Sequence, residues 1–282
     1  MKENNSLLIM AGGASSRMKS SLKNSSLRPE IKKQAEAVHK SLIPLGSNQR
    51  PLLYYLISNA ESAGYKNIYL ITSPENIAFH NQIDKWGANK IFTSITIRFA
   101  LQHIPNSREK PLGTADAVQQ ALEQYPELAN TTFTVCNGDN LYSTSVFKLL
   151  RASREEPHAL ISYARSGMNF SDERLTKFAV MDIDPNGYLK NIIEKPVPSE
   201  INQYKDNTNE IRLSMNIFSF NGELLYPYLQ KCPIHPERNE KELPEALRIL
   251  NKSEPYQTIC IPVNEHLPDL TSAEDINFFD FD

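Results

Sequence analysis

Short apolar runs alternate along this chain with longer stretches in which apolar residues recur at helical spacing. Leu7 to Met10 is too short for a buried helix and reads as a fully buried strand. Pro51 to Gly64 has proline at its start, glycine just past its end and an apolar face between, which predicts a helix. Ile68 to Thr72 reads as a second strand, Ser73-Pro-Glu-Asn76 opens a helix reaching about Trp86, and Ile95 to Leu101 is a third strand. That βαβαβ order predicts a largely parallel sheet. Leu112 to Val118 reads as a turn entering a helix that ends near Tyr125. Thr132 to Cys136 is a strand stopped by Asn137-Gly-Asp-Asn140, Ser143 to Ser153 a helix, and Ala159 to Tyr163 a return to the sheet.

The texture then changes. Phe178 to Ile183 and Tyr188 to Ile193 flank the turn Asp184-Pro-Asn-Gly187, a β-hairpin pattern. A strand over Ile211 to Phe220, helices near Gly222 to Leu229 and Leu243 to Leu250, and a strand over Tyr256 to Val263 follow. Leu267 to Asp275 turns into a closing helix with Ser272 as a cap. Between the first strand and helix, Lys19 to His39 is polar. Its first half, rich in serine and asparagine, reads as a loop, and Glu30 to Val38 as a short helix. The expected fold is Rossmann-like: a three-layer α/β/α arrangement on a mostly parallel mixed sheet, with a small β-rich substrate lobe. A single domain is expected, with residues 1–155 as one half and 156–282 as the other.

At 282 residues the chain can bury one substantial core. A net charge of −3 argues against a general nucleic-acid binder. Cys136, Cys232 and Cys260 are widely spaced and match no zinc pattern, which points to a reducing compartment. Lys2 is the only basic residue before an opening apolar run too short for a signal peptide, and no stretch approaches a membrane span. A cytoplasmic protein without nucleic-acid or membrane partners is expected, with oligomerisation left open.

The chemistry concentrates where strands end. After Met10 come Ala11, Gly12, Gly13, Ala14, Ser15, Ser16 and Arg17. The glycines permit a tight turn and close approach to a ligand, small side chains let successive N–H groups form an anion nest, and Arg17 adds a planar fork suited to phosphate. An ordinary turn would look similar. Neither a P-loop nor a dinucleotide fingerprint is present. Asp139 follows a strand, the usual ligand edge of an open α/β sheet, and suits Mg²⁺ as well as it suits capping the next helix. Asp269 occupies a similar place. Lys40 suits triphosphate or solvent; Gly113 and Thr114 suit a nucleobase or a helix start. Glu194 and Lys195 form either a surface ion pair or a ligand contact. Asn216, among apolar neighbours, needs a partner in the backbone or a polyhydroxylated ligand. No nucleophilic triad or histidine metal spacing appears.

Together these segments resemble the nucleotidyltransferases that make nucleoside-diphosphate sugars. Met10 to Met18 is similar to the family's LAGGxGTRL/M loop, departing at Ala14. Lys40 in Lys-Ser-Leu-Ile-Pro-Leu matches the lysine of PKxLxPL, with His39 in place of the proline. Leu112 to Val118 is close to LGTAxAV, Asn137 to Leu141 contains GDxL, and Glu194-Lys-Pro196 matches EKP. Ser214 to Phe218 keeps only the asparagine of E-x-N-T-G, and Leu267 to Asp275 is similar to W-x-D-x-x-T-P-E-D. The resemblance implies a single catalytic domain, residues 1–155 mainly binding nucleotide and 156–282 mainly an acceptor, and Mg²⁺ on Asp139 and Asp269, with Arg17 and Lys40 as catalytic cations. It implies nucleotide contacts from Ala11, Gly12, Gly13, Ser15, Ser16, Gln102, Gly113 and Thr114, and acceptor contacts from Glu194, Lys195 and Asn216. The implied reaction joins an NTP, with UTP favoured ahead of dTTP and CTP, to a sugar-1-phosphate and releases pyrophosphate. A phosphocholine-type acceptor and an inactive nucleotide-sugar sensor remain as alternatives. No acyltransferase repeat tail of the kind some relatives carry is expected.

Overall fold

The computed structural model describes residues 4–13 and 15–279, so Ala14 of the glycine loop lies outside the described residues. In chain order, β1 (Ser6–Met10) is followed by α1 (Ser16–Leu22), α2 (Pro29–Ala37), a two-stranded ribbon β2 (Pro44–Leu45) and β3 (Arg50–Pro51), and α3 (Leu52–Ala63). Then come β4 (Asn67–Thr72), α4 (Ile77–Ala88), β5 (Thr96–Leu101), α5 (Thr114–Gln124), the short α6 (Pro126–Ala129), β6 (Thr132–Asn137), α7 (Thr144–Arg151) and β7 (His158–Ala164). The remainder holds the single turn α8 (Asp172–Leu175), β8 (Ala179–Ile183), β9 (Leu189–Ile193), β10 (Arg212–Asn221), α9 (Gly222–Lys231), α10 (Leu243–Ser253) and β11 (Thr258–Val263). A 3-10 helix over Ala273–Phe278 closes the described chain.

One sheet carries the order β11-β7-β10-β6-β1-β4-β5, with the β8–β9 hairpin added beside β10. β1 lies parallel to both β4 and β6, β5 parallel to β4, and β11 parallel to β7; β10 runs antiparallel between β6 and β7. The sheet is mixed and mostly parallel, as the βαβ pattern requires. Alternation along β1 divides the core: Leu7 and Ile9 pack with α3 and α7, while Leu8 packs on the other face with α5, α9 and α10. The layers are therefore helix, sheet, helix.

One expectation is corrected. The serine-rich stretch after the glycine loop is helical from Ser16 to Leu22, where a loop was expected over Lys19 onward. Met18 and Leu22, one helical turn apart, are buried in a third cluster with Leu270, Ala273, Ile276 and Phe279. Tertiary burial outweighs the weak helix propensity of Ser20 and Ser21. The contact also brings the C-terminal turn against α1, where Ala273 N–H donates to Ser21 Oγ at 2.8 Å. All three cysteines are buried and unpaired. Among the described residues no helix is long and apolar enough to cross a membrane.

Candidate active site

Two cavities open at the C-terminal ends of β1 and β6. One, of about 430 Å³, is lined by Gly12, Gly13, Ser16, Lys40, Gln102, Gly113, Thr114 and Asp139. The other, of about 910 Å³, is lined by Arg17, Asp139, Asn140, Arg174, Asn216 and Asp269. Asn137 and Asp139 line both. The two cavities meet at the residue that ends β6.

Gly138 lets this junction form: its N–H donates to Met10 O at 3.0 Å, and an added Cβ would stand 2.9 Å from that same oxygen. β1 and β6 therefore stay in register up to their last residues, and the glycine loop faces Asp139. The Ala11 N–H is spent on Ile71 O at 2.8 Å, so Ala11 anchors the loop and leaves Gly12, Gly13 and Ser16 on the cavity wall. Ser15 is buried with φ 55°, a left-handed backbone at a non-glycine residue, and its Oγ accepts the Lys40 N–H at 3.3 Å. That bond ties the loop to the short 3-10 turn Lys40–Leu42. From it the Lys40 Nζ donates to Asp139 Oδ2.

The imidazole of His39 precedes this lysine, with Nδ1 against Ser41 Oγ at 2.6 Å. Burial first, then the charge of Lys40, lower its pKa to about 4 against the opposing pull of Asp139 and the Gly13 carbonyl. Gln102 is buried at the end of β5. Gly113 has φ 118°, and a Cβ there would lie 2.4 Å from Lys241 O, so only glycine fits this turn into α5. The Thr114 hydroxyl accepts the Leu243 N–H at 2.8 Å, fastening the same turn to α10.

On the far side of Asp139, residues 139–141 pair with residues 268–270. The Leu270 N–H donates to Asp139 O at 2.8 Å and the Leu141 N–H to Pro268 O at 2.9 Å. This pairing brings two aspartates, remote in sequence, to one cavity. Burial, then the charge of Asp139, raises the pKa of Asp269; Arg174 and Thr271 oppose the rise. Arg174 bridges Asp269 at 2.7 Å and Asp275 at 2.5 Å and stacks on Phe170 at 4.4 Å. Asp275 also accepts the Thr271 and Ser272 N–H groups at 2.9 and 2.7 Å, closing the turn that carries Asp269.

Asn216 lines this cavity from a break in β10, where the pairing to β7 shifts register between Ser214 and Phe218 and φ at Asn216 is 53°. A bulge re-aims the side chain that a regular strand would point elsewhere. The buried hydroxyl of Tyr142 donates to Met215 O at 2.7 Å and reaches Asn140 Oδ1 at 3.4 Å, joining the bulge to the Asp139 loop. Glu194 and Lys195 are exposed and line neither cavity; Glu194 faces Arg238 at 3.8 Å.

Arg174, Tyr142 and Asp116 were not singled out from the sequence. Arg174 lies in a charged run that reads as a solvated surface. Asp116 stood as a variable motif position, although an acid flanked by Ala115, Ala117 and Val118 on the buried side of α5 was a readable signal.

The profile of the nucleotidyl transferase family matches residues 7–261. The small subunit of a chloroplastic/amyloplastic glucose-1-phosphate adenylyltransferase from Triticum aestivum is 31% identical over 196 residues, 67% of this chain and 37% of its own length. A glucose-1-phosphate adenylyltransferase of Koribacter versatilis is 24% identical over 228 residues, 79% of this chain and 50% of its own. The chain thus spans half or less of the length of these curated relatives. Among solved structures, a UDP-glucose pyrophosphorylase complexed with UDP-glucose superposes with TM-score 0.69 at 17% identity, covering 97% of this chain and 95% of that one. A Bacillus anthracis protein assigned as a glucose-1-phosphate thymidylyltransferase, solved with sucrose, gives 0.67 at 19%, covering 98% and 93%. At these identities the superpositions speak for the fold. With the profile spanning nearly the whole chain and its motif residues gathered around Asp139, the protein belongs to the nucleotidyl transferase family of enzymes that includes the nucleoside-diphosphate-sugar pyrophosphorylases.

Proposed function

We propose that the protein transfers a nucleotidyl group from an NTP to a sugar-1-phosphate, giving a nucleoside-diphosphate sugar and pyrophosphate. The observation that carries this reading is the shared wall: Asp139, held by Lys40, lines both a cavity fronted by the glycine loop and a larger polar one. The first suits a nucleotide and the second a phosphorylated acceptor, so the two phosphates would meet at Asp139. The acceptor phosphate is largely dianionic near neutral pH, with a second pKa near 6, and needs no general base. Its oxygen attacks the α-phosphorus, that P–O bond forms, and the bond to the pyrophosphate oxygen breaks.

In this mechanism alignment and charge supply the rate. Gly12, Gly13 and Ser16 would hold the triphosphate, and Arg17, exposed at the rim of the second cavity, would neutralise leaving pyrophosphate. Lys40 would exchange its bond to Asp139 for the transferring phosphate. Asn216 and Arg174 would orient the acceptor. Lys195, carried on a left-handed backbone with φ 48°, would reach the acceptor phosphate only by turning in from the surface.

Asp139 and Asp269 fit a divalent cation. They are hard oxygen donors on one cavity, and the Asp269 carboxyl is pushed up partly by the charge of Asp139, a repulsion that a cation relieves. Among the described residues no group of three His, Cys, Asp or Glu side chains could hold a metal, so other oxygens would come from phosphate or water. Bound there, Mg²⁺ would offset phosphate charge.

Pyrophosphate release in Mg²⁺, scanned over UTP, dTTP, CTP, ATP and GTP against sugar-1-phosphates and phosphocholine, tests the reading. Release that requires a sugar-1-phosphate supports it. Release with phosphocholine alone moves the acceptor class, and tight nucleotide-sugar binding without any release makes the protein a sensor.

A further inference from the structure

The nucleotide cavity contains a hydrogen-bond relay that the nucleotidyl-transfer reading does not use. It starts on the backbone of His103, which the side chain of Gln120 grips at both ends: Oε1 accepts the His103 N–H at 2.9 Å and Nε2 donates to His103 O at 3.0 Å. This double contact settles which end of the Gln120 amide is which. Its Nε2 also donates to Asp116 Oδ2 at 2.9 Å. The same carboxylate oxygen accepts from Gln102 Nε2 at 3.0 Å, and Gln102 Nε2 donates as well to Gly113 O at 2.9 Å. Both amide hydrogens of Gln102 are thereby spent on acceptors. Turning the amide over would set its oxygen against a carbonyl and a carboxylate. Asp116 and Gln102 are both buried, so water does not relieve that clash.

What Gln102 offers the cavity is its carbonyl oxygen alone. Oε1 stands over the glycine loop, 3.4 Å from the position a Cβ would take on Gly12. Among the described residues it accepts no hydrogen bond. Behind it, the Gly113 carbonyl and the Asp116 carboxylate, which stands outside the cavity lining, hold the amide in this orientation.

We propose that Asp116 selects the nucleobase by locking the Gln102 amide, so that the site takes an NTP whose base carries an exocyclic amine, ATP, CTP or GTP, over UTP or dTTP. The amines of adenine, cytosine and guanine are donors that project beyond the ring and complete Oε1, with the neighbouring ring nitrogen set back. Uracil and thymine have no amine and flank their single ring N–H with two projecting carbonyls. When that N–H meets Oε1, a carbonyl is brought against an amide nitrogen with no hydrogen left and a nearby carboxylate. A uracil-reading glutamine needs its NH2 for that carbonyl; here the NH2 is committed. The site discriminates by what it refuses as much as by what it binds.

The inference rests on the nucleotidyl-transfer reading for the identity of the cavity, and equilibrium binding separates the two. Titration calorimetry of the full chain with each of the five NTPs in Mg²⁺ is expected to show at least one of ATP, CTP and GTP bound about tenfold or more tighter than UTP and dTTP. UTP or dTTP bound as tightly as the best of ATP, CTP and GTP overturns the inference, whatever the turnover assay gives. Asp116→Ala frees the amide to rotate and is expected to shrink the ratio of ATP to UTP affinity about tenfold, with Asp116→Asn, which retains an acceptor, restoring it. Gln120→Ala loosens the same carboxylate from outside the cavity and is expected to shrink the ratio in the same direction. An unchanged ratio in folded Asp116→Ala and Gln120→Ala proteins overturns the role of the relay. Absence of pyrophosphate release alongside the expected binding order would defeat the transfer reading and leave this one standing.

Discussion

The cavities on either side of Asp139 are held in different ways. Around the cavity fronted by the glycine loop, the proposed nucleotide side, the contacts run mainly between neighbouring elements of the sheet's parallel half: β1 to β4, β5 to α5, and the turn at Gly113 to α10. They are mostly hydrogen bonds to backbone, and the strained positions are short and local. The cavity that Asp269 lines, the proposed acceptor side, is assembled from segments far apart in the chain, by charge pairs such as Arg174 with Asp269 and Asp275 and by the pairing of residues 139–141 with 268–270. The first side resembles a preformed mould; the second is a set of charges that substrate or cation can exchange. Affinity for the base should therefore be set by shape and hydrogen-bond direction, and turnover by charge.

The sharpest way to break that contrast is Asp139→Asn, since Asp139 belongs to both sides. Loss of its charge is expected to lower kcat by about a thousandfold with little change in nucleotide affinity. Steady-state pyrophosphate release together with calorimetry checks it; near-normal turnover would sink the assignment. Gly113→Ala attacks the mould alone. The added Cβ would collide with the Lys241 carbonyl in a φ that alanine avoids, and a destabilisation of about 2–4 kcal/mol is expected in urea unfolding, with the KM for NTP rising. Tyr142→Phe acts on the other side by removing the hydroxyl that holds the Met215 carbonyl. A loss of about 1–2 kcal/mol is expected, with a raised KM for acceptor and an unchanged KM for NTP. Equal rises in both would erase the distinction between the cavities.

The smallest effect is a pH dependence. The pKa of His39 is lowered from 6.5 to about 4, chiefly by burial, so between those values the unfolded chain binds more protons than the folded one. Its contribution to stability is complete above about pH 6.5 and is lost as pH falls towards 4. His158, buried beside Arg154, is lowered to about 4 and adds a slope of the same sign. Urea midpoints at pH 7 and pH 5 should differ less in His39→Gln than in the parent protein, with His158 and His266, whose pKa is also lowered by burial, contributing to the remainder.

Most of the sheet was legible because its strands are short apolar runs and its helices carry proline, glycine and apolar-face markers at their ends. Leu7 to Met10, Thr132 to Cys136 and the hairpin around Asp184-Pro-Asn-Gly187 all lie within a residue or two of where periodicity places them. The helix of Ser16 to Leu22 was not legible, because its stability comes from burying Met18 and Leu22 under the C-terminal turn. At the site, the glycine loop, Gly113 and Asp139 stood out because backbone freedom and strand-end position are local properties, whereas Gln102 was named only through the family resemblance. Arg174 and Tyr142 did not stand out, since their partners lie about a hundred and about seventy residues away.

Local sequence determined the layers, the βαβ order and which strand ends carry oxygen, amide and ammonium groups, because these depend on side-chain period and turn chemistry within a few residues. Only the tertiary structure decided that Asp139 and Asp269 share a cavity, that Arg174 pairs with Asp269, and that the amide of Gln102 turns its oxygen towards Gly12. Hydrogen-bond direction and charge pairing are properties of who stands opposite, and the fold alone supplies the opposite partner.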